Sequence, residues 1–249
     1  MMENDLKITA KAQIRSNMPK IFIVSILYLV ITSIMIEVQF KLLGVYNAFD
    51  IYFQQLLVGN LLSIFGFISL LTLNPIRILL TIAISLSIAA VRFGYTSHTL
   101  RIQRGEALDI IDLFNGFYVF GKVIQIHIIT NIKILLWSLL LVIPGIIASI
   151  SYRQAYYILF DDPKKSAMEC INESKEMMTG LKAEFCFLYL SFLGWYILEE
   201  FVMNLLAYVF PISLPLVSIW LLPYTFITYA GFYNRHSPNS LPPLPPIIF

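Results

Sequence analysis

Several stretches of this 249-residue chain stay apolar for long enough to cross the roughly 30 Å hydrocarbon core of a bilayer. Hydrocarbon offers no partner to a backbone N–H or C=O, so such stretches must close their own hydrogen bonds as helices. With 58% hydrophobic and 13% charged residues, no part of the chain is polar enough to stand as a separate soluble domain. At about 20 residues per crossing, the length admits about six crossings and short loops. The expected fold is all-α. It is a polytopic transmembrane helical bundle over residues 1–235, with an N-terminal and a cytoplasmic amphipathic helix, followed by a flexible proline-rich tail over 236–249.

Residues 3–19 repeat Leu6, Ala10, Ile14 and Met18 on one face and Lys7, Lys11 and Arg15 on another. That pattern predicts a helix lying in the headgroup layer with its lysines toward anionic lipid. A packed leader is the other reading of the same stripe. The first crossing runs near 21–38; no small-x-small cleavage site follows it, so it reads as uncleaved. Further crossings are expected near 76–98, 123–143, 146–160, 183–207 and 216–233. Pro144-Gly145 interrupts one long apolar run and reads as the tip of a helical hairpin. Asp162-Pro163 reads as the N-cap and first residue of an amphipathic cytoplasmic helix over 163–180, with Gly180 as its stop. Its charged face is a surface for other membrane proteins.

Residues 45–74 hold a second apolar run. If it crossed, the Lys- and Arg-bearing segments 99–121 and 161–182 would face opposite compartments, against the positive-inside rule. Residues 45–74 are therefore expected at the outer face, re-entrant or interfacial. With that threading twelve of the seventeen Lys and Arg residues lie inside. Both termini are expected in the cytoplasm.

The remaining charges narrow the function classes. A net charge of +2 is too small for phosphate neutralisation along a nucleic acid. Cys170 and Cys186 form no CxxC pattern, and His98, His127 and His236 lack ligand spacing, so neither a disulfide nor a metal site is expected. No phosphate-binding loop or nucleophile elbow is present, and Asp109 and Asp112 read as helix caps. No catalytic centre and no cofactor are expected. Intramembrane polar groups are the functional flag, because each ion there costs at least about 2.5–3.5 kcal/mol. Lys133, Arg153, Glu199 and Glu200, with His127 and Asn131 below Lys133, form a candidate polar track for a lipid headgroup, a peptide or an ion. The same residues also read as structural ion pairs and snorkelling side chains. Two functions follow: a non-enzymatic scaffold, export accessory or self-protection protein, or a transporter or channel for a lipid or small solute.

From residue 99 onward, a series of strings resembles a bacterial integral membrane family catalogued as domain of unknown function 975. They are Arg104-Gly105-Glu106 with Asp112-Leu113-Phe114, Leu136-Trp137-Ser138 running into Ile143-Pro144-Gly145, Ser151-Tyr152 with Ala155-Tyr156, Ser174-Lys175-Glu176-Met177-Met178, Gly194-Trp195, and Ala230-Gly231-Phe232-Tyr233. Lys133, Arg153 and the tail lie outside them. The resemblance implies a six-helix fold and no established activity. More distantly, the family is similar to the membrane domain fused to some glycerophosphodiester phosphodiesterases, whose catalytic barrel has no counterpart in these residues.

Overall fold

The structure, a computed structural model, describes residues 2–43, 75–106, 108–207 and 216–237. The expectations placed on 45–74, on the outer-loop prolines and on the tail beyond 237 lie outside the described residues. The chain divides into two compact units, Leu29–Ala89 and the remainder, Met1–Tyr28 with Ala90–Phe249.

Among the described residues all regular structure is helical. The order is α1 (Met2–Ser16), α2 (Lys20–Leu43), α3 (Pro75–Arg104), a 3-10 helix (Ile110–Phe114), α4 (Asn115–Tyr118), α5 (Phe120–Leu140), α6 (Val142–Ser151), α7 (Ala155–Asp161), α8 (Ala167–Met177), α9 (Lys182–Leu190), α10 (Leu193–Ala207) and α11 (Leu216–His236). Among the described residues four helical stretches are long and apolar enough to cross a membrane: Lys20–Leu42, Pro75–Arg104, Phe120–Leu140 and Lys182–Met203, the last made of α9 and α10 with the turn between them. Their outer faces carry large exposed apolar side chains, among them Ile23, Ile26, Ile132, Leu136, Ile197 and Phe201. In the smaller unit, Ile34, Phe40, Ile76 and Leu79 are exposed in the same way.

The two other expected crossings, 146–160 and 216–233, fall outside this set for separate reasons. Helix α11 is poorer in aliphatic residues, with Tyr224, Thr225, Thr228, Tyr229, Tyr233 and Asn234 in its length. All six are buried, because α11 is surrounded by the rest of its unit and faces protein on every side. Such a helix need not be as apolar as one that meets lipid. The 146–160 run is not one helix but two. α6 ends at Ser151, residues 152–154 form a turn, and α7 begins at Ala155. No proline or glycine marks this break. The Ser174 hydroxyl of α8 holds it instead, accepting from the Gln154 N–H at 3.1 Å and donating to the Ser151 carbonyl at 2.8 Å.

The hairpin tip sits one turn earlier than Pro144-Gly145. Leu141 is extended (φ −161°, ψ 151°) between α5 and α6, and Pro144 falls in the first turn of α6. There its missing N–H has no helical acceptor to lose. Gly145 serves the packing of the two arms: a Cβ on it would stand 2.0 Å from Ser138 Oγ. The amphipathic helix also starts later than Asp162-Pro163. Ser166 caps it, with Glu169 completing a capping box, while Asp162 closes α7 and accepts from the Lys164 N–H at 3.0 Å. Gly180 (φ +84°) ends that segment as expected. The helix buries Ala167, Cys170, Ile171, Ser174 and Met178 within the chain, leaving its charged face exposed.

Helix α1 departs from the interfacial reading. Leu6, Ala10 and Ile14 are buried in one cluster with Ile102, Phe185, Leu221, Tyr224 and Phe232. The apolar stripe thus seats on protein, and the Gln13 amide donates to the Gln103 carbonyl at 3.3 Å. Residues 99–104, expected in a loop, extend α3 instead, and the chain turns at Gly105 (φ +69°).

One end of the larger unit collects the ions. Arg104 meets Asp161 through two hydrogen bonds of 2.6 and 2.9 Å, and Tyr233 donates to the same carboxylate at 2.7 Å. Lys122 Nζ donates to the Pro163 carbonyl at 2.5 Å. Arg101 pairs with Asp112 at 2.8 Å, and Asp109 caps the 3-10 helix. The arginine-bearing end of α3 and the segment preceding α8 therefore share one end of the fold.

Candidate functional site

A cavity of about 160 Å³ lies within the larger unit, walled by α3, α5, the α6–α7 break and α11. Each wall supplies its polar groups for a local reason. Arg92 and Thr96 stand one turn apart on α3, and His127 and Asn131 one turn apart on α5. The break at 152–154 carries Tyr152 and Arg153 to the lining, where an unbroken helix would have rotated them through its regular period. Tyr156 follows on α7 and Tyr229 on α11.

Among the described residues the lining holds two arginines and a histidine and no carboxylate. Among the described residues neither Arg92 nor Arg153 forms an ion pair; Arg153 lies over the Tyr229 ring at 5.4 Å from its centroid. That contact orients the guanidinium without neutralising it. Arg92 and Arg153 line the same cavity, so its fixed charge among the described residues is positive. The Asn131 amide donates to His127 Nε2 at 3.1 Å, and Tyr156 Oη lies 3.5 Å from His127 Nδ1. The Tyr229 hydroxyl is buried and meets no hydrogen-bond partner among the described residues.

The candidate polar track divides here. His127, Asn131 and Arg153 come together in the cavity. Lys133 does not line it: its Nζ sits 3.7 Å from Met168 Sδ and 5.5 Å from the Tyr152 ring centroid. Glu199 is buried and accepts from the Ser218 N–H at 2.9 Å, in the first turn of α11. A carboxylate at a helix start is stabilised by the orphan N–H groups there, which makes Glu199 a structural acid. Glu200 is exposed and outside the cavity. Arg92 and the tyrosines complete the site and were not assigned to it from sequence. Arg92 was visible as an ion inside an apolar run. The tyrosines carried only the i, i+4 spacing of Tyr152 and Tyr156, which is equally that of an ordinary packed face.

No His, Cys, Asp and Glu cluster among the described residues has the makings of a metal site. Cys170 is buried, which pushes its thiol up to about 11 and leaves it protonated near neutrality.

No curated protein and no solved structure matches the chain, so the more distant similarity to phosphodiesterase membrane domains gains no support. One family does match, over residues 1–239, nearly the whole length that holds the bundle, its cavity and the ionic end of α3, and the chain belongs to it: the family described as Protein of unknown function (DUF975).

Proposed function

We propose that this chain is a non-enzymatic membrane protein that holds an anion inside its helical bundle and handles an anionic lipid or small solute, as a transporter or a binding protein. It crosses a bacterial plasma membrane six times, with both termini and the end bearing Arg104, Lys122 and Lys164 in the cytoplasm. Positive residues gathered at one end favour that orientation.

The observation that carries the reading is the pair Arg92 and Arg153, facing one cavity without a carboxylate. Two uncompensated ions in apolar helices cost about 5–7 kcal/mol on insertion scales. That is comparable to the whole stability of many domains. An anion in the cavity removes this cost. The α6–α7 break adds to the case, since backbone interruptions at membrane depth are tolerated where they line a cavity and recur at transporter binding sites. The scaffold, export and self-protection readings rest on no comparable feature.

Equilibrium dialysis of the full chain, in a neutral sugar detergent, against halide, acetate, sulfate and phosphate tests this directly. At least one anion binds saturably with one site per chain, and the Arg92→Gln/Arg153→Gln variant loses it. Absence of saturable binding for every anion, together with no co-purified anionic lipid, overturns the reading.

A further inference from the structure

We infer that the anion is a phosphate group, gripped between Arg92 and Arg153 with the Tyr156 hydroxyl as a further donor. This deepens the anion-binding reading and rests on it.

Charge and geometry select the group. A guanidinium presents planar pairs of donors that match two oxygens of one anion. Two such forks offer more donors than the two oxygens of a carboxylate absorb, whereas the oxygens of a phosphate take both. A phosphate monoester carries about −1.5 to −2 at pH 7, which balances two guanidinium charges. A halide balances charge and uses none of the directionality.

Volume is compatible with the group. A cavity of about 160 Å³ has room for a phosphate ion or for the phosphate of a headgroup.

The hydrogen-bond chain leaves Tyr156 as a further donor in the tautomer of His127 whose Nε2 accepts from Asn131, beside the unpartnered Tyr229 hydroxyl. The Asn131 amide donates to His127 Nε2, which assigns the ring proton to Nδ1. Nδ1–H then points at Tyr156 Oη, 3.5 Å away, and the tyrosine O–H proton is left to donate elsewhere. The threonines of the lining are already committed. Thr96 donates to the Arg92 carbonyl at 2.8 Å and Thr130 to the Ile126 carbonyl at 2.6 Å. The Tyr229 ring lies against Arg153 and lowers the local polarity, which strengthens a charge-assisted bond.

Access does not distinguish a lipid phosphate from a free one. Asn131 is exposed beside Ile128, Ile132 and Leu135, so this wall reaches an apolar flank from which a headgroup enters. The same chemistry serves inorganic phosphate.

Calorimetric titration of the washed full chain in a neutral sugar detergent provides the test, with inorganic phosphate, sulfate and acetate as probes. Phosphate binds one-to-one and at least ten-fold more tightly than acetate. Arg92→Lys and Arg153→Lys, which keep the charge and lose the fork, each weaken it ten-fold or more. Lys175→Gln, on the exposed face of α8, leaves it unchanged. If a lipid phosphate already fills the site, the washed protein carries one equivalent of lipid phosphorus that Arg92→Gln/Arg153→Gln lacks, and added phosphatidic acid displaces inorganic phosphate whereas phosphatidylcholine does not. Acetate binding as tightly as phosphate overturns the phosphate assignment and leaves the anion reading standing. Neither bound phosphate nor retained lipid phosphorus, with no binding of the other anions, overturns both. Equal phosphate affinity in the Arg→Lys variants overturns the placement of the group between these arginines.

Discussion

Asp161→Ala lowers the unfolding free energy by about 3–5 kcal/mol, the usual loss when one partner of a buried ion pair is removed. Arg104 and Asp161 are 9% and 6% exposed, so solvent does little to screen the pair or to rescue the charge left behind. The carboxylate takes two bonds from Arg104 and one from Tyr233, while Arg104 Nε donates to Asn234 at 3.1 Å. One substitution therefore orphans groups on both α3 and α11 as well as removing the α7 member. Arg104→Met combined with Asp161→Leu restores much of the loss, because no unpaired ion then remains. Denaturant titration of the purified chain in detergent measures both. A loss below about 1 kcal/mol for Asp161→Ala, the range of exposed pairs, would show that the cluster is solvated.

Gly94→Ala is the second large effect, and it acts through backbone contact. A Cβ at Gly94 would stand 1.9 Å from the Leu113 carbonyl oxygen, and one at Gly116 would stand 2.0 Å from the Ala90 carbonyl oxygen. The two contacts are reciprocal. Each glycine lets the chain segment over 110–118 lie directly on α3, and neither obstructing atom is a side chain able to rotate away. The clash forces the segment off the helix, at about 3 kcal/mol, the upper part of the range for overpacking. It also disturbs Asp112, whose partner Arg101 lies on α3. Gly121→Ala and Gly194→Ala are the matched controls. Nothing stands within 4 Å of a Cβ at either site. Alanine in place of a helical glycine there is neutral or gains up to about 1 kcal/mol. The thermal midpoints of Gly94→Ala and Gly116→Ala should fall together, below those of the two controls. Equal midpoints for Gly94→Ala and Gly194→Ala would refute the close approach.

Much of the architecture was legible because period and punctuation are local properties. The amphipathic pattern over 163–180 foretold a helix with one apolar and one charged face, and Gly180 marked its end. The hairpin within 123–160 was legible to within one turn. What a stripe packs against is not local. Leu6, Ala10 and Ile14 predicted an apolar contact equally well for lipid or for protein, and the structure supplies α11 as the partner. The α6–α7 break had no glycine or proline to announce it, because Ser174, some twenty residues downstream, satisfies the freed backbone groups. Helix α11 was read as a further crossing; that it packs in the interior of its unit is a feature its buried threonines and tyrosines carried.

The same contrast separates the site from its first outline. Intramembrane charge singled out Arg153, His127 and Asn131, which the structure brings to one cavity, since an ion in an apolar run calls for a partner. It could not say that Glu199 already has one, in the backbone at the start of α11, whereas Arg92 and Arg153 have none among the described residues. Only the convergence of helices distant in sequence tells these cases apart.

If Arg92 and Arg153 serve a ligand and not the fold, their charge is a liability when the ligand is absent. The direct measurement is the unfolding midpoint of the wild-type chain and of Arg92→Gln/Arg153→Gln against phosphate concentration, in delipidated detergent micelles. The variant is predicted to be the more stable, or equal, without phosphate. The wild type overtakes it as phosphate rises, gaining about 2.7 kcal/mol at a hundred-fold excess over its dissociation constant, and the two curves cross. A wild type more stable by the same margin at every phosphate concentration would mark both arginines as structural and contradict the account.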